Sequence, residues 1–283
     1  LHSDGTIFLT GNLTQSGNGS FAVARYLNDG SLDATFGTNG FAQTNLGAVG
    51  APLFASALQT DGSVVVAGAL FGPATGFISE IGLARFDTTG TLDANFGGDG
   101  SVTTRFNGPT MNLGNAKVVV QPDGKSLVAG TTHDMTGIMS WNLVRYNRDG
   151  SLDASFGDAG IVKTTFPDTF GGFAQDIVLL ADGRIVVAGS AFGAGGVQIG
   201  VAQYFSDGSL DSTFGLDGLV KLDFGPVDLQ VSAIDVQADG KLVIAGHRFG
   251  ANDQDVLVIR LNSDGSFDSS FGSGGFTVTD IDQ

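Results

Sequence analysis

The stretch RYNRDGSLDASFGDAG, from Arg145 to Gly160, decides the fold because it returns along the chain. Its core, DGSLDxxFG or a close variant, sets an aspartate and a phenylalanine at Asp33 and Phe36, Asp93 and Phe96, Asp153 and Phe156, Asp211 and Phe214, and Asp268 and Phe271. The aspartates step by 60, 60, 58 and 57 residues. A second landmark is Asp-Gly followed by an apolar run that ends in glycine. It spans Asp4 to Gly11, Asp61 to Gly68, Asp123 to Gly130, Asp182 to Gly189 and Asp239 to Gly246. Together the landmarks define five units of roughly 60 residues, with variable loops making each longer than the roughly 40–50 of common propeller blade motifs.

Each unit divides into four short strands. In the third unit they are residues 161–166, 176–180, 184–189 and 199–204, designated strands one to four. Asp-Gly pairs between them are tight-turn chemistry, since glycine accepts positive φ and aspartate bonds its own backbone. Valine, isoleucine, leucine and threonine suit the pleated surface. All six prolines (Pro52, Pro73, Pro109, Pro122, Pro167, Pro226) fall between the expected strands, as ladder hydrogen bonding requires. Strand four carries large residues on one face (Phe21, Ile81, Trp141, Ile199, Val256) and mostly small ones on the other (Ala22, Gly82, Asn142, Gly200, Leu257). A small sheet that is apolar on both faces must be covered on both sides. Five such sheets predict an all-β fold, a β-propeller of five four-stranded blades within residues 1–283. A β-solenoid fits less well, because 60 residues per coil is long and the turns are those of hairpins.

The ends raise a closure question. Counting from Thr6 gives two strands, then four quartets, then residues 276–280 as a final strand one. The sum of 2 + 16 + 1 is 19, one short of five quartets. This predicts one blade composite from both chain ends, with residues 276–280 beside the amino-terminal pair and a strand two missing. The covered sequence is then a slice of a longer chain, or a neighbouring molecule donates the strand.

The chain carries 13 Lys and Arg against 29 Asp and Glu, a formal charge of −16. That acidity argues against nucleic acid and anionic membrane surfaces. Charged residues make up 15%, yet the apolar content is too high for disorder. Cysteine is absent, which excludes disulfides, thiolate zinc sites and cysteine nucleophiles. Residues 185–205 lack charge but hold five glycines, so they read as two strands and a loop and not as a membrane span.

Arg145-Tyr146, Asp149 to Gly160, and Ala181-Asp182-Gly183 to Gly189 resemble the delta-60 repeat family of bacterial proteins, whose unit reads RYxxDGSLDxxFGxxG and later xPDGKIVVAG. The resemblance covers nearly the whole chain. It implies propeller-like repeats in a secreted or surface-associated bacterial protein, and it brings no catalytic residues.

The repeated aspartates invite a calcium reading of the type DxDxDGxxD. Arg145 stands where the first ligand belongs, as do Arg25, Arg85, Gln203 and Arg260, so no metal and no cofactor is expected. An arginine precedes the corner aspartate by eight residues in four units, which predicts a structural clamp: Arg25 with Asp33, Arg85 with Asp93, Arg145 with Asp153 and Arg260 with Asp268. Gln203 with Asp211 is expected to make a neutral hydrogen bond instead. The phenylalanines of the landmark are expected to anchor the corner.

The histidines show no metal or protease spacing, and no GxSxG occurs. Glu80, the one glutamate, is expected in a loop. With His133, Trp141 and His247 it completes the residues expected on a variable rim formed by residues 12–20, 47–52, 69–80, 107–114, 131–140, 167–173, 190–198, 225–230 and 247–255. The reading that follows is a non-catalytic extracellular or cell-surface scaffold or binding module, not an enzyme. Its partner would be a protein or glycan at that rim, or a second copy through the incomplete blade. The alternatives are a self-assembling subunit of a bacterial surface filament and a hydrolase with an axial carboxylate site.

Overall fold

The structure is a computed structural model. It describes residues 4–15, 18–44, 46, 53–71, 78–105, 110–133, 137–225, 227–250 and 254–280. These residues form strands, turns and loops, and no helix among them is long and apolar enough to cross a membrane.

Among the described residues nineteen strands make five sheets. The first holds β1 (Ile7–Gln15), β2 (Asn18–Tyr26) and β3 (Phe41–Thr44). The second holds β4 (Leu53–Leu58), β5 (Val64–Phe71), β6 (Ile78–Phe86) and β7 (Ser101–Arg105). The third holds β8 (Thr110–Val120), β9 (Ser126–His133), β10 (Met139–Tyr146) and β11 (Ile161–Thr164). The fourth holds β12 (Ala174–Leu179), β13 (Ile185–Gly193), β14 (Gly196–Tyr204) and β15 (Leu219–Leu222). The fifth holds β16 (Asp228–Val236), β17 (Leu242–Phe249), β18 (Gln254–Leu261) and β19 (Phe276–Thr279). Within each sheet the strands neighbour one another in chain order. The fold is the all-β propeller class that the repeat implies.

The sheet boundary differs from the sequence unit. Strand one joins the strand four that precedes it, so a sheet runs two, three, four, one. The corner explains this. In the fourth sheet Asp211 N donates to the Gln203 carbonyl, Gln203 N to Gly218, and Gly218 N to Phe214, all at 2.9 Å. That tight corner sends β15 back antiparallel to β14, with Ala202 opposite Leu219. The expected composite blade is therefore corrected. Residues 276–279 pair with β18, Val256 opposite Thr279, and not with the amino-terminal strands. The first sheet has three strands among the described residues, lacking a strand two. β13 and β14 are also longer than expected, since residues 190–198 continue the hairpin to Gly193 and Gly196.

The chain divides into two compact units. One holds residues 1–128, 132–136 and 144–153, and the other holds residues 129–131, 137–143 and 154–283. In the first unit, the face of sheet one bearing Phe21, Val23 and Ala42 packs on Val64, Val66 and Ala84 of sheet two. In the second unit, Val186, Ala188, Ile199 and Val201 of sheet four pack on Leu242, Ile244, Leu257 and Ile259 of sheet five. By the repeat register these are the same two faces, here termed front (the Phe21 side) and back (the Ala24 side). Each valine, leucine, isoleucine or phenylalanine among them taken from water contributes on the order of 1.5–3 kcal/mol. β13 is buried over seven successive residues, so both of its faces are covered. β17 and β18 alternate buried and half-buried, with Val243, Ala245, Val256 and Val258 of the front face half-buried.

Candidate functional site

The corner brings the clamp residues together. Arg25 Nε donates to Asp33 Oδ2 at 2.8 Å, Arg85 Nε to Asp93 at 2.9 Å, and Arg145 and Arg260 Nε to Asp153 and Asp268 at 2.7 Å. Gln203 Nε2 reaches Asp211 Oδ2 at 2.9 Å. The corner at Gln203 is not neutral, however. Arg184 Nη1 lies 3.1 Å from Asp211 Oδ2. Lys125 and Lys241, one residue past the Asp-Gly turn like Arg184, reach Asp153 and Asp268 at 2.9 Å. The sequence reading missed this second cation. Its signal was a basic residue after Asp-Gly in units three to five.

The other carboxylate oxygen of each corner aspartate caps the turn. Asp211 Oδ1 accepts from Thr213 N at 3.0 Å and Thr213 Oγ1 at 2.6 Å. Burial pushes the Asp211 carboxyl up, but these donors, Gln203 and Arg184 outweigh it and hold it at about 2. Asp268 is likewise held well below the ordinary range, first by Lys241 and then by Ser270. In the Asp-Gly turns Asp149 Oδ1 accepts from Ser151 N at 2.9 Å and Ser151 Oγ at 2.6 Å, an Asx turn. Among the described residues no three His, Asp or Glu side chains group as metal ligands do.

Phe36, Phe96, Phe156 and Phe214 are buried, while Phe271 is half-buried. Each buried ring lies against the turn glycine of the next unit: Phe36 by Gly90, Phe96 by Gly150, Phe156 by Gly208 and Phe214 by Gly265. A backbone bond accompanies each contact, from Gly37 N to Thr89 O at 2.6 Å, Gly97 to Asp149 at 2.8 Å, Gly157 to Asp207 at 2.9 Å and Gly215 to Asp264 at 2.8 Å. Arg25 Nη1 adds a bond to Thr88 O at 2.5 Å, and Arg85 does the same to Arg148 O. The corner is thus an interlock between sheets.

The expected rim residues fare differently. Glu80 lies in β6 and not in a loop; it stands opposite Arg105 and accepts from its Nε at 2.8 Å. Trp141 is no rim ligand. It is buried, stacked edge-on against Phe166 with ring centroids 4.6 Å apart, in space left by Gly189 and Gly200. Its face of strand four meets the next sheet, which is why a large apolar residue sits there. His133 ends β9, and its side chain is outside the described residues. His247 lies half-buried in β17 opposite Val256. The rim residues 16–17, 47–52, 72–77, 107–109, 134–136, 226 and 251–253 lie outside the described residues.

One concavity on the expected rim is well described. It has a volume of about 370 Å³ and lies where β12, β13 and β14 meet β16 and β17. Phe173, Phe192 and Phe249 line it, with Gln175, Gln230 and Asp228 among the polar groups. Phe173 and Phe192 stand edge to face, 5.2 Å between centroids, which fixes both rings. Asp228 is held by Val197 N, which donates to its Oδ1 at 3.0 Å. Three aromatic rings beside amides and one carboxylate form a surface that stacks on C–H faces and bonds hydroxyls.

The family described as domain of unknown function (DUF5122) beta-propeller matches the chain at residues 2–36, 59–96, 121–156, 180–214 and 237–271. No curated protein matches it in sequence. Among solved structures it is similar to the polysaccharide lyase Uly1, with a TM-score of 0.53 and 15% identity over 93% of this chain. The chain spans 57% of that lyase. It is similar to a protein of unknown function from Dyadobacter fermentans DSM 18053, with a TM-score of 0.50 and 12% identity, covering 97% of this chain and 84% of that one. An alpha-L-arabinofuranosidase from Lactobacillus brevis follows with a TM-score of 0.45 and 14% identity, covering 99% and 87%. The likeness is one of fold. It corrects the expectation of a non-catalytic scaffold that is no enzyme, because a protein of this fold is a polysaccharide lyase.

Proposed function

The chain belongs to the DUF5122 beta-propeller family, and from that premise we propose that it is a hydrolase acting on a polysaccharide outside the bacterial cell, a member of the delta-60 type of repeat. The observation that carries this is the concavity lined by Phe173, Phe192, Phe249, Gln175, Gln230 and Asp228. Phenylalanine rings hold the apolar face of a sugar and the two amides read its hydroxyls; Asp228, as the carboxylic acid, gives its proton to the glycosidic oxygen as the C–O bond breaks, and the water that adds to the anomeric carbon returns a proton to it. A fold that also serves a polysaccharide lyase supports a glycan substrate.

The test is incubation with a panel of neutral and uronic polysaccharides. Release of reducing ends reads hydrolysis, and ultraviolet absorbance of an unsaturated product reads elimination. Wild type releases reducing ends, and Asp228→Asn abolishes release while binding persists. Phe192→Ala weakens binding roughly tenfold, the loss of about one aromatic contact. A chain that neither binds nor cleaves any polysaccharide, or that produces only unsaturated ends, overturns the proposal.

A further inference from the structure

Three corner aspartates hold a second cation, and its placement there is constant. Lys125 and Lys241 each follow an Asp-Gly turn. Each Nζ lies 2.9 Å from the corner carboxylate, Asp153 or Asp268, and 3.8 Å from the turn carboxylate, Asp123 or Asp239. Arg184 bridges Asp182 and Asp211 in the same way, at 2.8 and 3.1 Å. The first repeat has the same two carboxylates, Asp4 of the turn and Asp33 of the corner, but threonine at position 6. Asp33 is buried and takes Arg25 Nε on Oδ2 at 2.8 Å, as Asp153 Oδ2 takes Arg145. Thr6 brings no second cation. Its hydroxyl turns to Asp4 Oδ1, 2.8 Å away.

The path that a lysine side chain follows in the third and fifth repeats is open in the first. A cavity of about 360 Å³ is lined by Thr6, where such a chain would begin, and by Asp4 and Asp33, where its ammonium would end. Phe8 and Leu27 supply apolar wall, and Phe8 is fixed edge-on to Phe36 with centroids 5.8 Å apart. Asp61, from the turn of the next repeat, adds a third carboxylate. Arg25 is the cation in the lining, and it is committed to Asp33 and to the Thr88 carbonyl. All these residues belong to one compact unit. The chain's formal charge of −16 draws cations toward it.

We propose that this cavity binds a primary alkylammonium group. The cation stands between Asp4 and Asp33 as Lys125 Nζ stands between Asp123 and Asp153, and its alkyl stem lies along Phe8 and Leu27. The carboxylates require N–H donors, which a primary ammonium has in threes and a quaternary one lacks.

The probe is n-butylammonium, a lysine side chain without its backbone, titrated calorimetrically into the whole chain near pH 7 at low salt. Half-saturation is expected on the order of 1 mM. Tetramethylammonium binds at least about tenfold more weakly, and so does butylammonium in about 0.5 M salt. Thr6→Lys, which carries its own ammonium into the slot, melts higher than wild type and loses butylammonium binding at least about tenfold. Thr6→Ser, which keeps the hydroxyl on Asp4, binds as wild type does. Nα-acetyl-lysine methylamide separates two sources of the ligand. Binding equal to that of butylammonium supports a lysine side chain of a partner protein, and binding of butylammonium alone supports a free amine; either sustains the proposal. Wild type that does not bind butylammonium at about 50 mM, or Thr6→Lys that binds it as wild type does, overturns it.

Discussion

At the scale of single residues, the corner aspartate is where charge is concentrated. Asp153 has both Arg145 and Lys125 within 2.9 Å, while Asp211 has Arg184 and the neutral Gln203. Removing one cation therefore has unequal effects. Arg184→Met leaves a buried carboxylate with no cation at the corner and is expected to cost roughly 2–3 kcal/mol, against about 1 kcal/mol or less for Lys125→Met. Thermal melts of both variants check this; equal losses would show that a remaining cation does not set the cost of removing the other. Acid works on the same group. Asp211 is at about 2 in the folded chain against an ordinary 3.8, so its stabilisation is complete above the ordinary carboxylate range and fades as pH falls through about 2. Tyr146 and Tyr204 supply the alkaline limb. Burial raises both phenols, each donating to a buried threonine, Thr104 and Thr164, at 2.7 Å. Their contribution is complete below the ordinary tyrosine value of 10.0 and fades above it. Phenolate absorbance should then show two of the three tyrosines ionising only with unfolding; titration of all three in the folded chain would contradict this.

At the scale of elements, glycines separate local turn strain from the interlock. Gly208 and Gly240 sit in Asp-Gly turns at φ of 90° and 82°. A Cβ on Gly208 would meet Val162 at 2.6 Å and Phe156 at 2.9 Å, whereas one on Gly240 meets nothing within 4 Å. Gly240→Ala should cost about 1 kcal/mol of backbone strain, and Gly208→Ala roughly 2–3 kcal/mol more from displaced packing. Denaturant midpoints of the two variants decide it, and parity between them would mean that the corner and turn do not interlock. The strands, the turns and the eight-residue clamp were legible in the sequence, because period, Asp-Gly pairs and constant spacing are local signals. Pairing was less so. Residues 276–279 carry the right pattern for either neighbour, and only the return angle of the corner assigns them to β18. Trp141 was misplaced for a related reason. Its aromatic ring suggested a ligand platform, but the glycines that make room for it, Gly189 and Gly200, lie about 50 residues away on the next sheet. The concavity around Asp228 was invisible as a set, since it draws on Phe192 and Phe249 from strands of two sheets and on Phe173 from the loop before β12.

At the scale of the whole molecule, burial differs from sheet to sheet. Sheet four is buried on both faces and sheet five on one. Amide exchange in β13 should be at least about tenfold slower than in β18, a difference of about 1.4 kcal/mol in opening free energy. Uniform protection across the two sheets would indicate a single cooperative block. The offset between sheet and sequence unit also bears on how such a gene grows. Strand one of every unit completes the sheet begun by the unit before it. Duplicating one whole unit length, from any point inside one unit to the matching point in the next, therefore adds one full sheet with its clamp, its corner ring and its receiving glycine. Recombination need not find a boundary, because in this chain no breakpoint is privileged over another.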